Sequence, residues 1–398
     1  MREPSPLKFQ GGDCPHLEIG EDLGGEIFNI KASPNPRTIS LGGVNMQIDE
    51  RTIMFSRISR KPGTPAYDDY YREHPEHKEF DDSLRALPGM TEPGRTMYDP
   101  INSPIVDATF QFVADLRPLV EGPAAAPQKA EASPETFTKR IKGLAAHYGA
   151  VLCGITPMDP AYYYSHRGRM DANFGEEVVP KHPFTIVFAV EMDSELINTA
   201  PRLTQSLAST KGYVEGAVVG SILTYYIKSL GYEARNHMDG NYLAVMPLAA
   251  QAAGLGDIGR HGLLINPIYG SRLRLGAVTT DLPLLTDAPS NFKVEPFCLI
   301  CEKCVRTCHA QAIPAGEPKE IHGVKRWQIN QEQCFAKWLT LGTDCGICIA
   351  ACPFSSNLPT DLVQAYIDDP TQAEALLRDH ESRYPIRPFQ KDIPDWLK

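Results

Sequence analysis

The sequence predicts a mixed fold, part α/β and part α+β: an irregular N-terminal unit, a core of helices and strands, and a compact cysteine-rich module. Three observations carry this. Helical and strand-like patterns alternate between about residues 134 and 290, as in a layered helix-and-sheet core. Eight of the ten cysteines fall between Cys298 and Cys352, and clustering on that scale points to metal before disulfides. The first 120 residues or so are rich in Pro, Tyr and charge, with few long periodic runs.

With 398 residues, 42% hydrophobic and 22% charged, the chain has the make-up of a folded protein of two or three units. Its formal charge is −10, from 39 basic and 49 acidic residues, and it has no Lys/Arg-rich run, so nucleic acid is not an expected partner. The longest uncharged stretch, 240–256, contains Asn241, Pro247 and Gln251, which predicts no integral membrane segment. The opening MREPSPLKFQ has neither an apolar core nor paired arginines. A cytoplasmic location is therefore expected, and an exported, membrane-associated one only if a twin-arginine leader has been removed.

In chain order, residues 1–120 form the N-terminal unit. The Ala/Pro-rich stretch EGPAAAPQKAEASPET, 121–136, reads as a solvated linker. A core unit follows at 137–290. In it FTKRIKGLAAHYG reads as a helix, while AVLCGI and FTIVFAVEM read as strands. Ser209 or Thr210 is expected to cap a helix whose apolar positions 219, 222, 223, 226 and 230 follow helical spacing up to Gly231, which puts Tyr213 in its first turn. In SRLRLGAV the alternation sets Arg272 and Arg274 on one strand face. The cysteine module spans 291–360, and a polar tail, 361–398, with Pro385, Pro388 and Pro394, closes the chain.

Cys298, Cys301, Cys304 and Cys308 form the run C-x2-C-x2-C-x3-C, in which three thiolates wrap one iron–sulfur cubane and the fourth serves a second. An altered copy supplies Cys345, Cys348 and Cys352 before Pro353. Gly342 stands where its first cysteine belongs, and Cys334 is the substitute. The crossing rule then assigns one [4Fe–4S] cluster to Cys298, Cys301, Cys304 and Cys352 and another to Cys308, Cys334, Cys345 and Cys348. A pair of zinc sites is the competing assignment, but zinc modules separate two C-x2-C pairs by a longer spacer. Cys153, inside an apolar strand, reads as core. Cys14 and His16 make a lone C-x-H and no metal site.

Gly254, Gly256 and Gly259 match G-x-G-x-x-G, the dinucleotide fingerprint, with Asp281 downstream. The context is wrong for it: a helix-like run, 243–253, precedes the glycines and the strand-like HGLLINP follows. These glycines still imply tight turns and a surface against which a large flat cofactor can lie.

The stretches AAQAAGLGDIGRHGLLINPIYGSRLRLGAVTTDLPL (249–284), FCLICEKCVRTCHAQAIP (297–314) and DCGICIAACPFS (344–355) together resemble reductive dehalogenases, as do FSR (55–57), YYREHPE (70–76), DDSLRALPG (81–89), YSH (164–166), VEMD and LGYEA. Epoxyqueuosine reductases are the near relatives; they generally lack the long N-terminal unit. The resemblance implies a base-off cobalamin in a nitroreductase-like core, with a bacterial-ferredoxin-like two-cluster domain against it. It implies cofactor contacts at Gly254, Leu255, Gly256, Gly259, His261, Asn266 and Tyr269. It places a proton-donating tyrosine at Tyr213 and its basic partner at Arg272, for which the neighbouring Arg274 is the alternative.

Asp239 falls where some members of that family have asparagine. A carboxylate there repels halide unless it is protonated or paired, and Asn236 and Asn241 are alternative polar residues. Tyr162, Tyr163 and Tyr164 are candidates for a pocket wall. The expected substrate is a small organohalide, and the expected electron source is an external low-potential ferredoxin or flavodoxin. A non-catalytic iron–sulfur electron carrier is the reading from another class, and it predicts iron without cobalt.

Overall fold

The computed structural model describes residues 47–321 and 324–398, so Cys14, His16 and the N-terminal decapeptide lie outside the described residues. Between Asp49 and Leu116 the chain forms four α-helices where irregular structure is expected, α1 (Met54–Ser59), α2 (Pro65–Glu73), α3 (Pro75–Arg85) and α4 (Ser103–Leu116), with irregular turns only at 86–102 and in the short joins. The prolines that read as loop punctuation occupy the first turns of α2, α3 and α4, where a missing N–H costs nothing. The expected linker is not free in solvent. It runs along the end of the central helix described next, with the Ala126 and Ala130 N–H groups donating to the carbonyls of Lys228 (2.9 Å) and Leu230 (2.8 Å).

The core is a four-stranded antiparallel sheet in the order β1-β2-β6-β3, which settles the mixed expectation on the α+β side. In chain order its parts are α5 (Pro134–His147), β1 (Leu152–Pro157), β2 (Phe184–Glu191), α6 (Ser194–Ile197), α7 (Leu203–Ser229), β3 (Ala234–His237), α8 (Met246–Ala252), the two-residue strands β4 (Asp257–Ile258) and β5 (Leu264–Ile265), and β6 (Leu273–Thr280). One sheet face, with Ile155, Ile186, Phe188 and Val278, packs on Phe137, Ile141 and Ala145 of α5 and on Val219, Leu223 and Ile227 of α7. The other, with Val187, Ala189 and Ala277, packs on Ala249 and Ala250 of α8 and on Leu255 and Leu264.

Helix α7 begins six residues before Ser209, so Ser209 and Thr210 lie inside it and are buried. Amphipathic spacing marks only a helix with a wet face. The first turns of α7 are buried on several sides, among them Thr204, Gln205, Ser206 and Ala208, and so carry no stripe by which the start could be read.

The cysteine module contains α9 (Val294–Cys301), α10 (Lys303–Thr307), the ribbon β7 (Lys319–Ile321) with β8 (Val324–Arg326), α11 (Gln331–Leu341) and α12 (Ile347–Ala351). The expected polar tail instead folds into α13 (Thr360–Asp368) and α14 (Ala373–Arg383). Val363, Tyr366 and Leu376 of these helices enter the same apolar cluster as Phe292, Phe297 and Phe354. The Tyr366 hydroxyl donates to the Lys293 carbonyl (2.6 Å), tying the tail to the start of α9.

Leu223 is fully enclosed between α7 and the sheet. Leu223→Ala is expected to cost about 2–5 kcal/mol, read as a lower midpoint of chemical unfolding.

Candidate functional site

Helix geometry sets Cys298 and Cys301 nearly one turn apart on α9. Glu302 then takes a left-handed conformation (φ 48°), which ends α9 and starts α10 with Cys304 on it. Gly346 (φ 67°) does the same before α12, which carries Cys348. The thiols gather in two groups. Burial, and then the neighbouring thiols of Cys298, Cys301 and Cys304, push the Cys352 thiol well above its ordinary range. Burial followed by Cys345, Cys304, Cys334 and Cys308 does so for Cys348. Cys334 is pushed up to about 11 by burial together with Cys345 and Cys308.

Thiols packed so closely and so dry are poor thiolates by themselves, and a bound cationic cluster reverses that penalty. The donor set therefore fits two four-thiolate clusters. The Ala312 N–H already points at Cys308 Sγ (3.4 Å).

A cavity beside the first group is lined by Cys298, Cys301, Cys304 and Cys352, and on its other side by Arg260 and His261 of the glycine loop. Sequence reasoning passes over Arg260. Its guanidinium is 1% exposed, donates to the carbonyls of Cys298 (2.7 Å), Pro314 (3.0 Å) and Gly316 (2.7 Å), and lies over the Trp327 ring at 4.4 Å. Its only signal in the sequence is its place between two glycines of the loop.

The glycine loop is a turn from α8 into the β4–β5 ribbon, not a strand-to-helix turn, which agrees with rejecting the dinucleotide reading. Gly256 (φ 152°) is required there because a Cβ would sit 2.3 Å from the Ile265 carbonyl oxygen. Of the expected cofactor contacts, Leu255 is core. Asn266 is spent on the loop itself: its Nδ2 donates to the Leu255 carbonyl (2.8 Å) and its Oδ1 accepts from Ile268 N–H (2.9 Å). His261 faces Ser271 Oγ (3.0 Å), and burial lowers its pKa to about 4, so it is neutral. Tyr269 is half-buried, and Ile268 and Leu263 present apolar side chains outward.

Tyr213 lies about three turns into α7, beyond reach of the helix N-terminal field. The cation against it is Arg274, not Arg272. Arg274 donates to the Tyr213 hydroxyl (3.0 Å) and to Ser209 Oγ (2.6 Å), and its guanidinium lies 4.0 Å from the ring centroid. Arg272 precedes the first residue of β6, so strand alternation does not govern it, and it turns toward the cysteine module instead. Among the described residues the Tyr213 hydroxyl has no acceptor for its own proton, and the buried Arg274 Nε has no partner. Burial raises the tyrosine's pKa, Arg274 lowers it, and the carboxylates of Asp239 and Asp344 raise it again, for a net rise.

Asp239 is paired, with Arg117 at 3.0 Å and Arg169 at 3.6 Å. Asn236 is fixed to the α7 carbonyl of Ala217 and to Ser221, and Asn241 to Arg235 and the Arg117 carbonyl. Tyr163 and Tyr164 are core, and Tyr162 is half-buried.

The family described as the 4Fe-4S dicluster domain matches residues 297–356. The chain is 32% identical over 270 residues to a tetrachloroethene reductive dehalogenase of Desulfitobacterium hafniense, covering 56% of this chain and 49% of that protein. It is 28% identical over 132 residues to an epoxyqueuosine reductase of Lactococcus garvieae, covering 30% and 36%. Among solved structures, the catabolic reductive dehalogenase NpRdhA superposes with a TM-score of 0.69 at 22% identity, covering 85% of this chain and 46% of that one. A reductive dehalogenase whose structure was reported for B12-dependent dehalogenation does so at 0.64 and 22%, covering 76% and 45%. The chain spans about half the length of the tetrachloroethene dehalogenase that it matches. It is thus a relative of the reductive dehalogenases, with their fold and a 4Fe–4S dicluster domain across its clustered cysteines.

Proposed function

We propose that this protein is a corrinoid-dependent reductive dehalogenase that replaces a carbon–halogen bond of a small organohalide by carbon–hydrogen. The observation that carries the reading is the Tyr213 hydroxyl, braced by Arg274 and with its proton uncommitted, on the helix that also packs against the cysteine module. Bound groups would supply the electron chemistry: two-electron reduction at the corrin cobalt, fed singly through two [4Fe–4S] clusters. The balance is one organohalide, two electrons and one proton giving one hydrocarbon bond and one halide.

The chain's own residues handle the proton and the charge. The raised pKa keeps Tyr213 protonated at neutral pH, so it can give its proton to carbon. Arg274 then stabilises the phenolate through the hydrogen bond it already makes, and its free Nε–H remains for an anion. The two arginines around Asp239 cancel a charge that would otherwise repel halide. With His261 and Asn266 committed internally, and with Gly254 packed against Ala288 and Gly256 and Gly259 against Ile265, a corrin here would be held by Tyr269 and by the apolar edge at Ile268 and Leu263. Cys298, Cys301, Cys304 and Cys352 would hold one cluster and Cys308, Cys334, Cys345 and Cys348 the other. The second group is the less buried, which suits entry of electrons from an external ferredoxin or flavodoxin. NpRdhA has been solved with 3-bromo-4-hydroxybenzoic acid, and the Desulfitobacterium relative is named for tetrachloroethene, so haloaromatics and haloalkenes are the substrate classes to screen.

Protein purified without oxygen and supplied with cobalamin is expected to hold one cobalt and about eight irons per chain, and to release halide from a member of the panel. Iron without cobalt points to an electron carrier, and turnover of epoxyqueuosine-containing tRNA in place of organohalides points to the other relatives. Cys334→Ala is expected to bring the iron content down to about four.

Tyr213→Phe is expected to lower turnover about 10²–10⁴-fold with cobalt and iron unchanged. Arg274→Leu is expected to lower it as well, by less, and to raise the pKa of Tyr213. Near-normal turnover in Tyr213→Phe would remove it from the acid role.

A further inference from the structure

Helices α2 and α3 meet at a single residue, His74, with Pro75 opening the second helix and Glu76 and His77 in its first turn. One ligand atom from each of His74, Glu76 and His77 lies within 4.8 Å of the others. The Glu76 Oε1 is 3.4 Å from His74 Nδ1 and 3.8 Å from His77 Nε2. Ligands about 2.0–2.1 Å from a tetrahedral zinc ion are spaced about 3.3 Å apart, so the carboxylate is already within about half an ångström of the required distance from each imidazole, and the imidazole nitrogens, within 4.8 Å of each other, close by about 1.5 Å at most through side-chain rotation.

The two imidazoles are held in place. Their rings stack at 5.5 Å with an interplanar angle of 19°. The Tyr70 hydroxyl stands 3.0 Å from His77 Nδ1 and so leaves Nε2 to face the carboxylate. Tyr70 is itself buried, with the Arg60 guanidinium 3.7 Å from its ring centroid and Tyr71 edge-on at 5.1 Å. A metal-bound histidine with its second ring nitrogen fixed by a buried partner is the usual supporting arrangement. Side-chain exposures of 35% for His74, 26% for His77 and 61% for Glu76 leave the fourth position open to water. Two imidazoles and one carboxylate suit Zn2+, Ni2+ or Cu2+ rather than Mg2+ or Ca2+.

We propose that His74, Glu76 and His77 bind one divalent late-transition-metal ion, of which Zn2+ is the probe, and that the ion clips α2 to α3. On binding, the proton on His77 Nε2 shifts to Nδ1, and the Tyr70 oxygen turns from donor to acceptor, so no proton need be lost from that ring. None of the clustered cysteines belongs to this group; Glu76 and His77 are on α3, which together with α1 packs against α11 through Leu84, Met54, Phe335 and Leu339.

The test uses untagged, cluster-loaded protein titrated with Zn2+ under anaerobic calorimetry, with zinc-edge X-ray absorption on the same sample. One equivalent is expected to bind with nitrogen and oxygen neighbours and no sulfur, and to raise the unfolding temperature. H74Q/H77Q is expected to weaken that binding at least tenfold and to abolish the rise, with iron content unchanged. Glu76→Gln, a change at an exposed side chain, is expected to weaken binding on its own. Superimposable isotherms for the wild type and the double variant, or sulfur in the zinc shell, would overturn the site, and an unchanged wild-type unfolding temperature would overturn the clip.

Discussion

Where β6 begins, Arg272 is 2% exposed and its guanidinium nitrogens are all engaged: Nε with the Ser355 carbonyl (2.9 Å), one Nη with Asn357 Oδ1 (3.0 Å), and the other with the Glu191 carboxylate and the Met192 carbonyl. Such complete pairing offsets the cost of burying a guanidinium, and removal of its partners is costly. This cation binds the sheet to the chain just after Cys352. Its neighbours strengthen the seam. The Ser271 N–H donates to Ser355 Oγ (3.0 Å), and Gly270 (φ 56°) lies so close that a Cβ would sit 2.4 Å from the Phe354 carbonyl carbon. Cys352 thus has its place from both sides, from α12 before it and from the sheet after it.

Arginines join distant elements elsewhere as well. Arg57, 1% exposed, grips Asp81 through two hydrogen bonds of 2.9 and 2.7 Å and also reaches Glu332 at 2.8 Å. Since Glu332 is on α11, this pairing fastens the N-terminal helices to the helix that carries Cys334. Asp239 is set between two arginines and Arg274 against a tyrosine. In each case a long cationic side chain crosses between elements far apart in sequence, and bidentate or stacked geometry suits arginine better than lysine.

Helix α5 was legible in the sequence because one-sided burial writes a period into it, whereas the strands at 152–157 and 184–191, the latter buried on both faces, were legible as short apolar runs rich in β-branched and aromatic residues. The grouping of cysteines was legible because the cubane dictates ligand spacing. The start of α7 was not, since a segment buried on several sides has no period to read. Nor were α2 to α4, whose prolines look like breakers until they are seen at first turns, nor the six-residue α1. Choosing between Arg272 and Arg274 needed the third dimension: both are two residues apart near one strand, and only the start of β6 at Leu273 separates their roles. Asp239 was correctly suspect as a lone carboxylate, but Arg117 and Arg169 that neutralise it come from distant stretches of chain.

Ser206 and Tyr213 lie on α7 seven residues apart, which is about two turns and about 10 Å of axial rise on nearly the same side of the rod. Ser206 donates to Asp344 (2.7 Å), the residue before Cys345, so this one helix spans from the cysteine turns to the uncommitted hydroxyl. On the function proposed above, the helix is a fixed ruler between an electron-bearing and a proton-bearing position. The two need no hinge or docking motion to come into register. A single residue inserted between them would rotate one against the other by about 100° and uncouple them with every side chain still present.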